Sequence, residues 1–353
     1  MKIRSVECWE VKMPLKEPYT IAYETIHETV NVFMCITTDT GIRAYGCAAP
    51  DLEVTGETPA GVISAFNNIV EPLLHGHNLL QIALITELVK KEYPHSPSLL
   101  AMVDMALYDL LSKTAKLPLY LLLGGYRHFM PTSITIGILP VNETIERASD
   151  FIRQGFFILK VKGGHSVEMD VERMHAIREK FGKDIQLRFD ANQGYSVEDA
   201  VRFVRETKDC NIEILEQPSP KGEWAMMGHI TEQVHLPVMA DEGLMNLSDA
   251  HKIAKNNWAD MINIKLMKVG GIRQAMHINS VAKAAGMESM VGCMDESALG
   301  IAAGLHFALS RPNVEYADLD GHLDLIGDPA NCCILLKEGV LYPKSGAGLG
   351  FIE

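Results

Sequence analysis

Five charged residues stand at nearly even intervals along the middle of the chain, each closing a short apolar run. The runs are ILKVK ending at Lys162, IQLRFD at Asp190, IEILE at Glu216, LPVMAD at Asp241 and MINIK at Lys265. The steps between them are 28, 26, 25 and 24 residues. About 25 residues is one strand, one helix and two short loops. Repeated in this way, strand and helix build a parallel α/β barrel, where the carboxyl ends of successive strands converge on one mouth. The spacing therefore predicts that Lys162, Asp190, Glu216, Asp241 and Lys265 ring one cavity. In the first run Lys160 and Lys162 are two apart, so on a strand they project to the same face while Val161 points away. Two neighbouring ammonium groups call for an anion beside them. A strand end with solvated lysines would account for that pair alone, but not for the four runs that follow.

The rest of the chain fits around this core. Residues 1 to about 50 alternate in the β manner through 30–36 and 41–47, with TTDTG (37–41) as a hairpin turn. Residues 57–123 read as helices: Thr58 before Pro59 suits an N-cap with proline at the first helical position. The stretch around 97–123 carries apolar residues at helical spacing, with Asp104 and Asp109 embedded among them. Strands followed by helices make an α+β domain. The barrel then begins near Thr132, with helices at 142–155, 166–181, 196–207, 221–234, 248–257, 271–285 and 297–309. MESMVGCM supplies a seventh strand and VEYADLDGH an eighth. The expected architecture is a modified (β/α)7β barrel of the TIM type with an α+β capping domain. The divisions are 1–127 for the cap, 128–320 for the barrel and 321–353 for a tail that returns to the cap.

At 353 residues the chain suits a barrel plus one smaller domain. A net charge of −13 argues against nucleic acid or an anionic membrane as partner. No apolar run reaches the roughly 18 residues of a membrane span. The first residues contain no signal-peptide apolar stretch, and the seven cysteines include no CxxC pair. Reduced thiols in a cytoplasmic protein are the expectation.

Asp190, Glu216 and Asp241 place three carboxylates on three adjacent strands. In a half-buried mouth they would repel one another, and a hard divalent cation removes that cost. An all-oxygen donor set suits Mg²⁺, which would then act as an electrophile for a substrate carboxylate. Lys162 on the second strand and Lys265 on the sixth lie on opposite sides of the ring, with the carboxylates between. A lysine serves as a base only when its pKa falls toward neutrality. A cation and Lys160 nearby both push Lys162 that way. Glu242 is positioned to orient Lys265, and Asn192 sits two residues beyond Asp190. Two lysines flanking one carbon, with a metal on its carboxylate, suggest proton transfer at that carbon. One lysine removes the proton α to the carboxylate, an enediolate forms, and the other lysine returns a proton from the opposite face.

The motifs together resemble the enolase superfamily, in its muconate-lactonizing subgroup, over essentially the whole chain. They are VTGET (54–58), MALYDLL, LPLYLLLGG, KVK (160–162), DANQ (190–193), EQP (216–218), ADE (240–242), NIKLMKVGG (263–271) and GCM (292–294). Within that subgroup ADLDG (317–321) resembles the dipeptide epimerases, including those acting on L-Ala-D/L-Glu. The resemblance implies that Asp318 and Asp320 bind the α-ammonium of a dipeptide. It also implies that Lys160 helps hold the substrate carboxylate and that Thr135 on the first barrel strand contacts substrate. One Mg²⁺ per subunit and a homo-oligomer are expected. The chain departs from the usual pattern in Gly243, where serine often follows Asp-Glu, and in Tyr195, where tryptophan is common.

Side-chain specificity in this fold falls to the capping loops and late strand ends. Here these are acidic: Glu24, Asp51 and Asp295-Glu296. Members acting on acidic dipeptides tend to carry a basic residue where Glu24 stands. Cationic dipeptides bearing Lys or Arg are therefore expected first, and hydrophobic ones second. The alternative is a muconate cycloisomerase or o-succinylbenzoate synthase reaction on the same lysines and metal. Those substrates carry no ammonium, which leaves a paired aspartate motif without a purpose. A sugar-acid dehydratase would use a histidine where Lys265 stands. A barrel retired to a binding role would have lost a lysine or a ligand.

Overall fold

The computed structural model describes residues 2–20 and 25–351. An antiparallel sheet comes first, with β1 (Ile3–Thr20), β2 (Thr25–Thr38) and β3 (Arg43–Ala48) in that order. The helices α1 (Pro59–Ala65), α2 (Glu71–Gly76), α3 (Ile82–Glu92), α4 (Pro97–Ala115) and α5 (Leu119–Leu122) follow. Thr58 caps α1 through its side chain, as the Thr-Pro pair predicts. Glu57 accepts from the amides of Ser98 and Leu99 and so caps α4 from a distance. The embedded acids of α4 are buried connectors. Asp109 accepts from the amides of Tyr45 on β3 (2.9 Å) and Leu349 in the tail (2.8 Å), and pairs with Lys113 at 2.7 Å. Asp104 accepts from the amides of Ile272 and Arg273 in the barrel.

After a two-residue strand β4 (Met130–Pro131), strands and helices alternate. They are β5 (Ile134–Ile136), α6 (Val141–Arg153), β6 (Ile158–Lys162), α7 (Val167–Phe181), β7 (Gln186–Asp190), α8 (Val197–Glu206), β8 (Ile212–Glu216) and α9 (Trp224–Gln233). The series continues with β9 (Val238–Ala240), α10 (Leu247–Asn256), β10 (Met261–Lys265), α11 (Leu266–Val269), α12 (Ile272–Ala284), β11 (Glu288–Gly292), α13 (Ala298–Ser310) and β12 (Val314–Asp318). Strands β5 to β12 lie side by side in chain order and every pair is parallel. This is the (β/α)7β barrel that the spacing predicts. Its first strand is shorter than TSITIGIL suggests, because Thr132 and Ser133 go to closure instead. The Ser133 amide donates to Ala317 O at 3.1 Å, and Thr132 Oγ1 accepts from the Leu319 amide.

Period-two alternation sorts the strand residues. Leu159, Val161, Leu187, Phe189 and Leu215 are buried in the main apolar core beneath the helices. Ile214, Met239, Met261 and Met290 pack as a separate cluster with Tyr316. Ile214 and Met239 stand two residues before Glu216 and Asp241 and so on the same face, which places this largely methionine cluster in the barrel interior beneath the charged ends. The tail forms a hairpin, β13 (Ile334–Lys337) and β14 (Val340–Pro343), which pairs with β4.

Candidate active site

Lys162, Asp190, Glu216, Lys265 and Asp318 each close a strand, Asn192, Asp241, Glu242, Asp295 and Asp320 lie in the loops beyond, and Thr135 and Lys160 lie within β5 and β6. Lys160 pairs in register with Arg188, and Lys162 with Asp190. Asp190 in turn is level with Glu216. Asp190, Glu216 and Asp241 are all at most 2% exposed. Ammonium groups hold them. Lys160 Nζ lies 3.1 Å from Asp190 Oδ2, 2.9 Å from Glu216 Oε2 and 2.9 Å from Asp318 Oδ2. Lys265 Nζ lies 2.8 Å from Asp241 Oδ2. Lys268 reaches both Asp241 Oδ1 and its carbonyl oxygen. Lys162 has no hydrogen-bond or ion-pair partner among the described residues.

Burial opposes charge on Lys160, but Asp318, Glu216 and Asp190 outweigh it and hold the ammonium above its ordinary pKa. Burial likewise opposes charge on Lys265, and Asp241 reverses it. For Lys268 burial prevails and the pKa is lowered. Glu216 is pushed up, first by burial and then, against the pull of Lys160, by Asp190 and Asp241. Asp320 is pushed up to about 7 by burial and by Asp318 beside it. Burial bears on every one of these groups; the neighbouring carboxylates overcome it at Lys160 and Lys265, add to it at Glu216 and Asp320, and do not overcome it at Lys268.

Among the described residues, no ready-made metal cage of His, Cys, Asp or Glu is found. The donor set nevertheless fits a divalent cation. Three buried carboxylates at the ends of adjacent strands offer hard oxygens, and Glu242 Oε2 beside them is buried with no hydrogen-bond partner among the described residues.

The remaining residues occupy varied places. Asp318 accepts from Ser133 Oγ at 2.6 Å, and Asp320 Oδ2 from the Thr135 amide at 2.7 Å. Asn192 contacts Asp190 through its backbone amide at 2.9 Å. Lys265 is bonded to Asp241, and no hydrogen bond joins it to Glu242. Asp51 Oδ1 accepts from the amides of Glu53 and Val54, closing its own loop, so half of that carboxylate is engaged locally. The carbonyl of Asp295 accepts from Thr29 and Asn31 on β2, which ties the loop after β11 to the capping sheet. Glu24 lies outside the described residues. Three further groups belong to the site. Lys268 neutralises Asp241, Asn263 donates to Glu216 Oε1 at 2.8 Å, and Gln217 accepts from the amides of Asp241 and Gly243. All three fall inside quoted motifs, Gln217 in EQP and Asn263 and Lys268 in NIKLMKVGG, but nothing in the spacing assigns them a role.

Two family descriptions match nearly the whole chain: "Mandelate racemase / muconate lactonizing enzyme, N-terminal domain" over residues 3–124 and "Enolase C-terminal domain-like" over 143–352. The chain belongs to the mandelate racemase/muconate lactonizing enzyme family, with its enolase-like C-terminal domain. Among its relatives is the L-Lys-D/L-Arg epimerase of Desulforapulum autotrophicum, 40% identical over 99% of both chains. The dipeptide epimerase of Enterococcus faecalis, solved with Mg and the dipeptide L-Leu-L-Tyr, superposes with a TM-score of 0.96 at 39% identity over 99% of each chain. The L-Ala-D/L-Glu epimerase of Bacillus subtilis, in a substrate-liganded complex, gives a TM-score of 0.96 at 36% identity, covering 100% of this chain and 99% of that one.

Proposed function

We propose that this protein is a Mg²⁺-dependent dipeptide epimerase that inverts the Cα of the C-terminal residue by proton transfer between Lys162 and Lys265. The observation that carries this is the placement of two lysines on opposite strands of one barrel mouth, with three buried carboxylates between them. Full-length similarity to dipeptide epimerases supports it. Asp190, Glu216 and Asp241 would hold the ion, which supplies positive charge against the substrate carboxylate when bound. Lys160, already among these carboxylates, binds that carboxylate from the other side. Asp320, with its raised pKa, gains from a cationic partner, so with Asp318 it receives the α-ammonium. Thr135 sits beside this pair on β5. Lys162 takes the α-proton from one face, and Lys265 delivers one to the other. The two lysines thereby exchange protonation states, and each must trade a proton with water before the next turnover in the same direction. Lys265 serves as base for the other epimer once Asp241 no longer holds its ammonium.

The proposal extends to substrate and setting. Dipeptides bearing Lys or Arg are preferred, hydrophobic ones come second and Ala-Glu is disfavoured. The acidic rim at Asp51 and Asp295 and the similarity to a Lys/Arg-specific relative support that order. The cap spans 1–127, the barrel 128–320 and the tail 321–353, supported by the contacts of Leu349 and Phe351 with Asp109 and Tyr45. The protein works in the cytoplasm as a homo-oligomer. Its seven free cysteines support that compartment, and the exposed Leu117, Leu121, Tyr126 and Phe129 offer a face to a second copy. No described helix is long and apolar enough to cross a membrane.

The test is a dipeptide library in D₂O, read by mass for exchange of the C-terminal α-proton. It includes Ala-Lys, Ala-Leu and Ala-Glu, with chelator and then with added Mg²⁺. Exchange that needs Mg²⁺ and favours Ala-Lys is expected. Exchange undiminished by chelator would remove the metal. Best turnover of Ala-Glu would remove the cationic preference.

A further inference from the structure

Lys162 is the last residue of β6, and its ammonium makes no hydrogen bond or ion pair among the described residues. The backbone that carries it is therefore the main determinant of its place. That backbone turns at once through Gly163 and Gly164, the latter at φ +100°, a conformation that favours glycine. The turn lies directly against the loop after β7, which begins at Asp190. A Cβ on Gly164 would come within 2.0 Å of Ala191 O, and one on Gly194 within 2.2 Å of Gly164 O. The Gly163 amide donates to Asp190 O at 2.8 Å. The two loops touch backbone to backbone, with no room for adjustment by side chains between them.

One carboxylate fastens this junction. Asp170, in the first turn of α7 and 1% exposed, accepts from the Gly164 amide at 2.9 Å and from Tyr195 Oη at 2.6 Å, both on Oδ2. Its other oxygen is paired with Arg173, which is also 1% exposed. Arg173 is costly to bury, since its Nη1 has no partner. Its charge is met by Asp170, whose second oxygen is thereby left to accept from two donors in two different loops. Burial, and then the Asp170 charge, push the Tyr195 phenol above its ordinary range, so it remains a donor. Tyr195 is itself seated against Phe189 and Phe203, and its amide donates to Pro218 O in the next loop.

We propose that Asp170, with Tyr195 and Arg173, is a positioning device for Lys162: it locks the turn after β6 to the loop after β7 and so fixes the one lysine of the mouth that no described side chain holds. This rests on the proposed function, in which Lys162 is a base. Residues 170, 173 and 195 touch no reacting atom, and their effect passes through the main chain.

The test pairs a local readout with a chemical one. Tyr195→Phe deletes a single hydroxyl. Hydrogen exchange of the intact protein, read by mass, is expected to show faster exchange in peptides covering 160–166 and no change in those covering 261–270. Each base is then isolated in turn. In a Lys265→Ala background only Lys162 can exchange the α-proton of its epimer; in a Lys162→Ala background only Lys265 can. Adding Tyr195→Phe should slow exchange about tenfold in the first background, since misplacing a catalytic group by a fraction of an ångström is costly. It should leave the second within about twofold. A hydroxyl with only a stabilising role would lower both equally, and that result, or unchanged protection at 160–166, overturns the proposal. Asp170→Asn is read in the same way and guards against a misfolded first variant. Absence of α-proton exchange in the unmodified protein would overturn the epimerase assignment and the role of Lys162 with it, while the amide result reports on the clamp separately.

Discussion

Lys162 and Lys265 stand on opposite sides of the same mouth, and the fold secures them in contrasting ways. Both strands end in a lysine and soon reach a glycine pair, Gly163-Gly164 in one case and Gly270-Gly271 in the other. Both glycine pairs lie against a buried aspartate: a Cβ on Gly163 would meet Asp170 Oδ1 at 2.6 Å, and one on Gly271 would meet Asp104 Oδ2 at 2.6 Å. Asp170 comes from the barrel's own helix, is charge-paired with Arg173, and leaves Lys162 unpaired among the described residues. Asp104 comes from α4 of the capping domain and has no ion-pair partner among the described residues, while Lys265 is held directly by Asp241. One lysine is fixed through its backbone and the other through its side chain. In the proposed mechanism one base starts free and the other starts in an ion pair, and the two supports differ accordingly.

The largest test of this contrast is removal of either lysine. Lys162→Ala and Lys265→Ala should each lower epimerisation by at least about 10²–10⁴-fold, the worth of one positioned acid or base. Stopped assays with chiral separation would show it, and near-normal inversion by either variant would dismantle the two-sided scheme. Next in size are the carboxylates that hold buried cations. Asp170→Ala and Asp241→Asn should each cost about 3–5 kcal/mol of stability in urea, because each strands a buried cation. Mg²⁺ affinity by calorimetry should separate them, falling sharply for Asp241→Asn and little for Asp170→Ala. Equal losses would erase the distinction.

The smallest effect is carried by pH. Burial pushes the Asp104 carboxyl up from 3.8 to about 7. A raised folded-state pKa means that the folded protein binds the proton more tightly than the unfolded chain. The associated stability is complete below about pH 4 and is lost as pH rises through 7. Asp104→Asn removes that dependence. Its stability relative to the unaltered protein should therefore improve from pH 5 to pH 8, by on the order of 2 kcal/mol, since each tenfold gain in proton affinity is worth about 1.4 kcal/mol. Urea titrations at the two pH values would measure it, and a flat difference across that range would show that Asp104 is already ionised at pH 5.

The sequence makes the ring legible because charge at a strand end interrupts an apolar run at a fixed period. Lys162, Asp190, Glu216, Asp241 and Lys265 are all visible for that reason, and with them the barrel. The supports are harder to see. Asp170 lies in the first turn of a helix, where an acidic residue is ordinary, and Tyr195 looks like any aromatic after a turn. Asp104 and Asp109 stand out as acids on an apolar helix, but their amide partners lie 168 and 240 residues away for Ile272 and Leu349. No local pattern encodes such distances. Lys268 is hidden because a lysine in a short helix reads as solvated, whereas here Asp241 draws it inside. The closing use of Thr132 and Ser133 is invisible until the first and last strands meet.

Asp109 has a bearing on how the protein is made. On the ribosome, α4 is synthesised long before Leu349 and Phe351, and a nascent chain tends to fold from its N-terminal end. Until the tail emerges, the Asp109 carboxylate has one of its two backbone donors missing, and Tyr45 lacks the ring of Phe351 at 4.6 Å. The cap thus waits for residues that are translated after the barrel, and these contacts are made only once the barrel has passed out of the exit tunnel.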